Sequence, residues 1–188
     1  MKDIFRKKTN ENKKILIGMR VPRDYFKTTG VGESDIQIHA GSMHLAMKEA
    51  GIEQYNMMSY SSILPGIARE VPKPSNIVHG AVVETITAMS STTKGKRATA
   101  GIIFGWLYHK KTGVRYGGLV CEYNGPMTVE EVGKSLRMSL DELYFNGFSE
   151  DYELKEINLT TRTVVPKKKF GTALVSICFI NYEVPVIE

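Results

Sequence analysis

The chain has 188 residues, 42% hydrophobic and 24% charged, which suits a protein with a buried core and excludes a disordered or low-complexity chain. No apolar run reaches the roughly 18–20 residues of a membrane-spanning helix. The net charge of +5 is not a nucleic-acid footprint: residues 1–30 hold nine Lys/Arg against three Asp/Glu, and the rest holds 16 against 17. The basic excess therefore reads as a solvated polar lead-in, Met1–Lys14, without the apolar stretch of a secretory signal. Residues 15–188 read as one domain. Cys121 and Cys178 have neither a disulfide framework nor a metal-ligand spacing, which points to the cytoplasm.

In chain order, Ile15–Val21 and Tyr25–Thr29 read as short strands separated by Pro22, followed by a flexible Gly30-Val31-Gly32 loop. A helix is expected over about Gly41–Ala50, with Met43, Ala46 and Met47 on one face and Gly51 as its stop. Tyr55–Ser61 reads as a strand running toward the rigid turn Pro65-Gly66. Longer strands are expected at Ile77–Met89, Ala98–Tyr108 and Tyr116–Tyr123, the last two joined by a turn at Lys110–Gly113. Ile102-Ile103-Phe104 and Leu119-Val120 are apolar without alternation, the pattern of strands covered on both faces. Thr128 and Glu131 form a capping-box signature. Behind it Val132, Leu136, Leu140 and Leu143 recur at helical spacing, so Val129–Asn146 reads as a helix stopped by Gly147. Leu154–Val164 and Ala173–Glu183 are the closing strands. Mostly sheet with two helices and no internal repeat, the order indicates an α+β layered sandwich.

Ser61-Ser62 closes an apolar strand just before a Pro-Gly turn, a setting in which a peptide bond can be held under strain. The dipeptide alone carries no signal, since Ser90-Ser91 is another. The run Ala50-Gly51-Ile52-Glu53-Gln54-Tyr55-Asn56, followed by Ser61-Ser62-Ile63-Leu64-Pro65, does carry one. With it come Gly30-Val31-Gly32-Glu33-Ser34, His79-Gly80-Ala81-Val82, Gly117-Gly118-Leu119 through Glu122-Tyr123, and Lys169-Phe170-Gly171. Together and in this order they resemble the pyruvoyl-dependent arginine decarboxylases, most closely the bacterial branch, over nearly everything after the N-terminal tail.

The resemblance implies a four-layer αββα sandwich assembled as a trimer, with active sites at subunit interfaces. It implies a carboxy-lyase that converts L-arginine to agmatine and carbon dioxide, in polyamine synthesis or acid resistance. The cofactor is a covalent pyruvoyl group made from Ser62 by self-cleavage, leaving a β chain of residues 1–61 and an α chain of residues 62–188. The Ser62 hydroxyl attacks the Ser61 carbonyl, and β-elimination and loss of ammonia follow; the resulting ketone forms a Schiff base with the substrate amine. Asn56 matches the asparagine assigned to processing, and Glu122 the catalytic glutamate. Apolar strand neighbours should raise the Glu122 pKa and favour its protonated, proton-donating form. Ser61, as a new C-terminal carboxylate, is placed to position the substrate amine.

One position departs from the family. Where the resemblance implies an aspartate facing the guanidinium, this chain has His44, which cannot supply that charge. Asp35 and Glu33 in the preceding loop are the alternative anions, with Glu84 a further one on a strand. Ornithine, lysine or histidine are therefore alternative substrates, and a non-catalytic binding module of the same fold is an alternative role. Gly30-Val31-Gly32 lacks the Lys-Ser/Thr of a phosphate loop, and His39, His44, His79 and His109 lack metal-ligand spacing. The partners expected are a small-molecule amino acid and further copies of the chain, with no metal, nucleic acid or membrane.

Overall fold

Fourteen consecutive residues, Val21–Ser34, form one strand, β1, where the sequence suggested two short strands and a loop. The computed structural model describes residues 19–76 and 78–184, so the polar lead-in and most of the Ile15–Val21 strand lie outside the described residues. Pro22 does not break β1: it sits near the end of the strand, beside the point where the register against the neighbouring strand slips, a place where a proline is tolerated. Gly30 and Gly32 are strand residues rather than a flexible loop. A Cβ on Gly30 would sit 2.0 Å from the Ala46 carbonyl oxygen, and one on Gly32 would sit 2.2 Å from that of Ser42. These glycines let a helix lie directly on the strand.

That helix, α1 (His44–Ala50), is entered through a π-type turn at Ile38–Met43, so the helical stretch begins earlier than expected. Gly51 ends it as expected, in the left-handed conformation at φ 67°, with its N–H on the Lys48 carbonyl and that of Ile52 on Met47. Next come β2 (Asn56–Ser59), β3 (Ile63–Pro65) and β4 (Arg69–Glu70), all short. β5 runs Val82–Thr93 rather than from Ile77, since a turn through Val78–Ala81, with Gly80 at φ 80°, precedes it. Residue 77 itself lies outside the described residues. β6 (Ala98–His109), β7 (Arg115–Gly125), α2 (Val129–Gly147), β8 (Tyr152–Val164) and β9 (Phe170–Glu183) follow close to expectation. The Thr128 capping box is formed in both directions.

The strands make two sheets, ordered β2-β5-β9-β1-β4 and β3-β7-β6-β8. Strand side chains alternate between faces, so each sheet has an inner and an outer surface. Tyr25, Ile86, Val175, Ile177 and Phe179 of the first sheet meet Ile102, Phe104, Trp106 and Val120 of the second in one buried cluster. Phe26, Leu174 and Cys178, on the other face of the first sheet, pack against Ala46 and Ala50 of α1. Ile103, Leu107, Leu119 and Cys121 pack against Val132, Leu136 and Leu140 of α2. β6 is thus buried from Ala98 to Leu107 on both faces, as its unbroken apolar run requires. Leu143, expected on the same helix face, is 46% exposed. Both cysteines are free and buried, and burial pushes each thiol up to about 11. Over the described residues the chain is α+β, with two sheets and two helices packed as a sandwich.

Candidate active site

β2 pairs in parallel with β5 in one sheet, and β3 pairs antiparallel with β7 in the other. Only Tyr60, Ser61 and Ser62 separate β2 from β3, so the chain changes sheets within three residues. Tyr55–Ser61 is accordingly not one strand: the ladder stops at Ser59. Ser61 is exposed and pairs with neither sheet. Among the described residues no backbone hydrogen bond reaches its carbonyl. The bond between Ser61 and Ser62 lies in a short open crossing.

Ser62 is half-buried, and its hydroxyl donates to Oε1 of Glu122 at 2.5 Å. Val120 belongs to the inter-sheet cluster, so Glu122, two residues on in β7, shares that inward face. A carboxylate in this position orients the hydroxyl and can take its proton, which is what a serine nucleophile requires. A serine hydroxyl and a carboxylate are thus in contact beside an accessible peptide.

The other expected residues sit differently. Asn56 opens β2, its side-chain amide donating to the Gly80 carbonyl and its own N–H to that of Ala81, each at 2.8 Å. Within one chain its amide is therefore on Gly80 rather than on Ser61. Glu33 Oε2 accepts the backbone N–H groups of Lys167 and Lys168 at 2.7 and 3.1 Å, and Asp35 Oδ1 accepts that of Lys169 at 3.1 Å. These carboxylates hold the β8–β9 connection against the end of β1. His44 is exposed at the start of α1, on the wall of a hollow of about 400 Å3 shared with His39, Met43 and Met47. The structure thus brings Ser61, Ser62 and Glu122 together and leaves Asn56, Glu33, Asp35 and His44 in other contacts.

A further cluster adjoins the crossing. Tyr60 donates its backbone N–H to Thr85 at 2.8 Å and its phenol to Glu84 Oε2 at 2.5 Å, and its ring lies 5.4 Å from that of Phe179. Glu84 is only 3% exposed, and its other oxygen meets Arg20, whose guanidinium stands 5.1 Å from the centre of the Tyr182 ring. Burial, and then Tyr60, push the Tyr182 phenol up to about 12. Sequence reasoning named Glu84 only as a spare anion and passed over Tyr60. Their contact follows from the parallel β2–β5 register, for which the sequence offers no spacing signal.

The sequence model of the pyruvoyl-dependent arginine decarboxylases matches residues 24–184. The chain is 31% identical to the pyruvoyl-dependent arginine decarboxylase AaxB of Chlamydia trachomatis, across 88% of this chain and 94% of that protein. It is 28% identical to the protein of the same name from Chlamydia pneumoniae, with the same coverage. A shorter match, 35% identical over 86 residues, is to pyruvoyl-dependent arginine decarboxylase 2 of Methanosarcina mazei. With the match running from β1 through β9, across the Ser61–Ser62 crossing and Glu122, the chain belongs to the pyruvoyl-dependent arginine decarboxylase family.

Proposed function

We propose that this protein cleaves itself between Ser61 and Ser62 and then decarboxylates L-arginine to agmatine and carbon dioxide. The observation that carries the reading is the 2.5 Å hydrogen bond from Ser62 Oγ to Glu122 at an open crossing between sheets. Glu122 takes the hydroxyl proton as Oγ attacks the Ser61 carbonyl carbon. The Ser62 nitrogen leaves, gains a proton, and an ester replaces the amide. Loss of the Ser62 α-proton then expels Ser61 as a carboxylate and leaves dehydroalanine at position 62. Its enamine tautomerises and is hydrolysed by one water, releasing ammonia. Residues 1–61 and 62–188 become the β and α chains.

A pyruvoyl group at position 62 supplies a ketone for the substrate amine and an amide carbonyl that takes up the electron pair freed by carbon dioxide. Glu122 holds at Oε1 the proton that replaces carbon dioxide on the substrate carbon. The Ser61 carboxylate holds the substrate amine close to position 62. Asn56, five residues before Ser61 on β2, is the candidate donor to the Ser61 carbonyl during processing, released from Gly80. Among the described residues the second oxygens of Glu33 and Asp35 have no hydrogen-bond partner, and these carboxylates carry the negative charge for the guanidinium, with His44 on the helical stretch that follows.

The helix–sheet–sheet–helix order of the three buried clusters supports the four-layer αββα fold of pyruvoyl-dependent decarboxylases. A trimer with sites at subunit interfaces supplies walls that the open crossing lacks in one chain, and the enzyme works in the cytoplasm. The test is intact mass spectrometry of the purified chain with carbon dioxide release from arginine, ornithine, lysine and histidine. Two fragments divided at Ser61–Ser62, the larger with a pyruvoyl N-terminus, and preference for arginine are expected. An unsplit, inactive chain would sink the reading, and preference for another amino acid would sink the substrate alone. Sedimentation at working concentration tests the trimer.

A further inference from the structure

We propose that Tyr60 and Glu84 form a clamp that positions the Ser61 carbonyl for self-cleavage, so that Tyr60 is a positioning residue of the processing step. The inference rests on the reading that the Ser61–Ser62 bond is the one cut. On the downstream side the chain is anchored by β3: Ile63 pairs with Leu119, and Leu64 is fully buried in the inter-sheet core. On the upstream side the last ladder residue is Ser59, and the three residues before it in β2 are largely at the surface. What fixes the chain next to the scissile bond is therefore Tyr60. It is held three ways: backbone N–H on Thr85, phenol on Glu84, ring against Phe179.

Geometry makes this anchor matter. Three residue steps, from Tyr60 to Ile63, reach at most about 10–11 Å, close to the roughly 10 Å spacing of packed sheets. The crossing is direct, and a shift of Tyr60 passes to the Ser61 carbonyl through one peptide unit. Intramolecular attack depends steeply on placement, and a misplacement of about 1 Å costs on the order of 100-fold. Glu84 is suited to hold Tyr60 because it is itself fixed. It lies on β5 among residues paired with β9, is 3% exposed, and has both carboxylate oxygens engaged, one by Tyr60 and one by Arg20. A buried charge paired on both sides does not swing away without leaving a costly unpaired group. The same contact explains why Glu84 does not act as a free anion for substrate.

The test follows first-order cleavage of freshly purified full-length chain by intact mass, beside hydroxylamine treatment and denaturation of the uncut form. Hydroxylamine opens an ester but not an amide, so it separates failure of the acyl shift from failure of elimination. Tyr60→Phe keeps the ring on Phe179 and removes only the hydroxyl. It should cleave at least about tenfold more slowly than the unaltered chain, and its uncut fraction should resist hydroxylamine. Glu84→Gln can still donate an amide hydrogen to the Tyr60 oxygen while accepting from Arg20, and should stay within about threefold of the unaltered rate. Glu84→Leu should be as slow as Tyr60→Phe, and the double variant Tyr60→Phe with Glu84→Leu no slower than either alone.

Cleavage of Tyr60→Phe at the unaltered rate, an ester accumulating in it, or multiplying effects in the double variant would each overturn the clamp while leaving self-cleavage intact. If the unaltered chain itself never splits, the proposed function falls and the clamp with it. Because Glu84→Gln keeps the shape and hydrogen bonding of the site, it keeps the comparison decisive even if Glu84→Leu fails to fold.

Discussion

The chain carries two Ser-Ser pairs, and the fold treats them in opposite ways. Ser90 and Ser91 lie inside β5, paired with Ala173 and Thr172 of β9. Ser90 is buried with its hydroxyl toward the Gly125 carbonyl at 3.4 Å, and the Ser91 hydroxyl shares a hydrogen bond with Thr172 at 2.8 Å. Ser61 and Ser62 lie outside every ladder, between strands of different sheets, with the second hydroxyl on a carboxylate. Two identical dipeptides thus differ in what surrounds the carbonyl. Ser90 and Ser91 belong to a regular ladder with β9 that would have to open before an acyl shift could occur. The crossing has no such ladder to break, and it brings a serine hydroxyl onto a carboxylate, the pair that the proposed acyl shift uses.

The largest expected effect is at Ser62. Alanine there has no hydroxyl to attack, so Ser62→Ala should remain a single 188-residue chain with no measurable decarboxylation, read by intact mass and carbon dioxide release. Cleavage of this variant at its usual place would break the comparison at once. Glu122→Gln comes next. It keeps an oxygen for the Ser62 hydroxyl but cannot take or deliver a proton, so turnover per pyruvoyl group should fall roughly 10²–10⁴-fold. Under the proposed mechanism cleavage should also slow, because Glu122 accepts from the Ser62 hydroxyl in the uncut chain. Unchanged rates in both assays would remove Glu122 from the chemistry.

Leu64→Ala tests the downstream anchor. Leu64 is 0% exposed in the inter-sheet core, and truncating such a side chain costs about 2–5 kcal/mol. The loss should appear as a lower denaturation midpoint and, because β3 then holds Ser62 less firmly, as slower cleavage in the fraction that remains folded. Normal cleavage with the stability loss alone would show that β3 contributes to the fold and not to the geometry of the bond.

How much of this was legible in the sequence depends on whether the cause was local. α2 could be read because its cap, its apolar spacing and its stop are contiguous, and β6 because an unbroken apolar run needs cover on both faces. β1 could not. Pro22, Gly30 and Gly32 look like breaks in isolation, and only the helix lying against the strand shows that the two glycines serve close packing. Ser61, Ser62 and Glu122 were singled out through ordered motifs rather than through any property of the dipeptide, and the structure brings the three together. Tyr60 and Glu84 were not, because their contact is made by the parallel pairing of β2 with β5, which places Met58 opposite Glu84. Glu33 and Asp35 stand out in the sequence as loop carboxylates, but the backbone N–H groups of 167–169 that each accepts on one oxygen come from the far end of the chain.

The smallest effect is expected at the second pair, and it bears most directly on why the first is special. Ser91→Ala removes one hydroxyl that shares a hydrogen bond with Thr172, and Thr172 keeps a second partner in Ser42 at 2.9 Å. No polar group is left buried alone, so the cost should be about 1 kcal/mol or less. Ser90→Ala removes a longer contact to a carbonyl and should cost no more. Neither change alters the crossing, so both variants should split at Ser61–Ser62 at the unaltered rate, and neither should yield a fragment ending at residue 90. A fragment divided at Ser90–Ser91, in these variants or in the unaltered chain, would mean that a serine pair inside a ladder can also undergo the shift. The distinction would then lie in the dipeptide after all. Its absence, beside efficient cleavage at the crossing, makes release from the sheets and contact with Glu122 the two conditions that convert an ordinary dipeptide into a cleavage site.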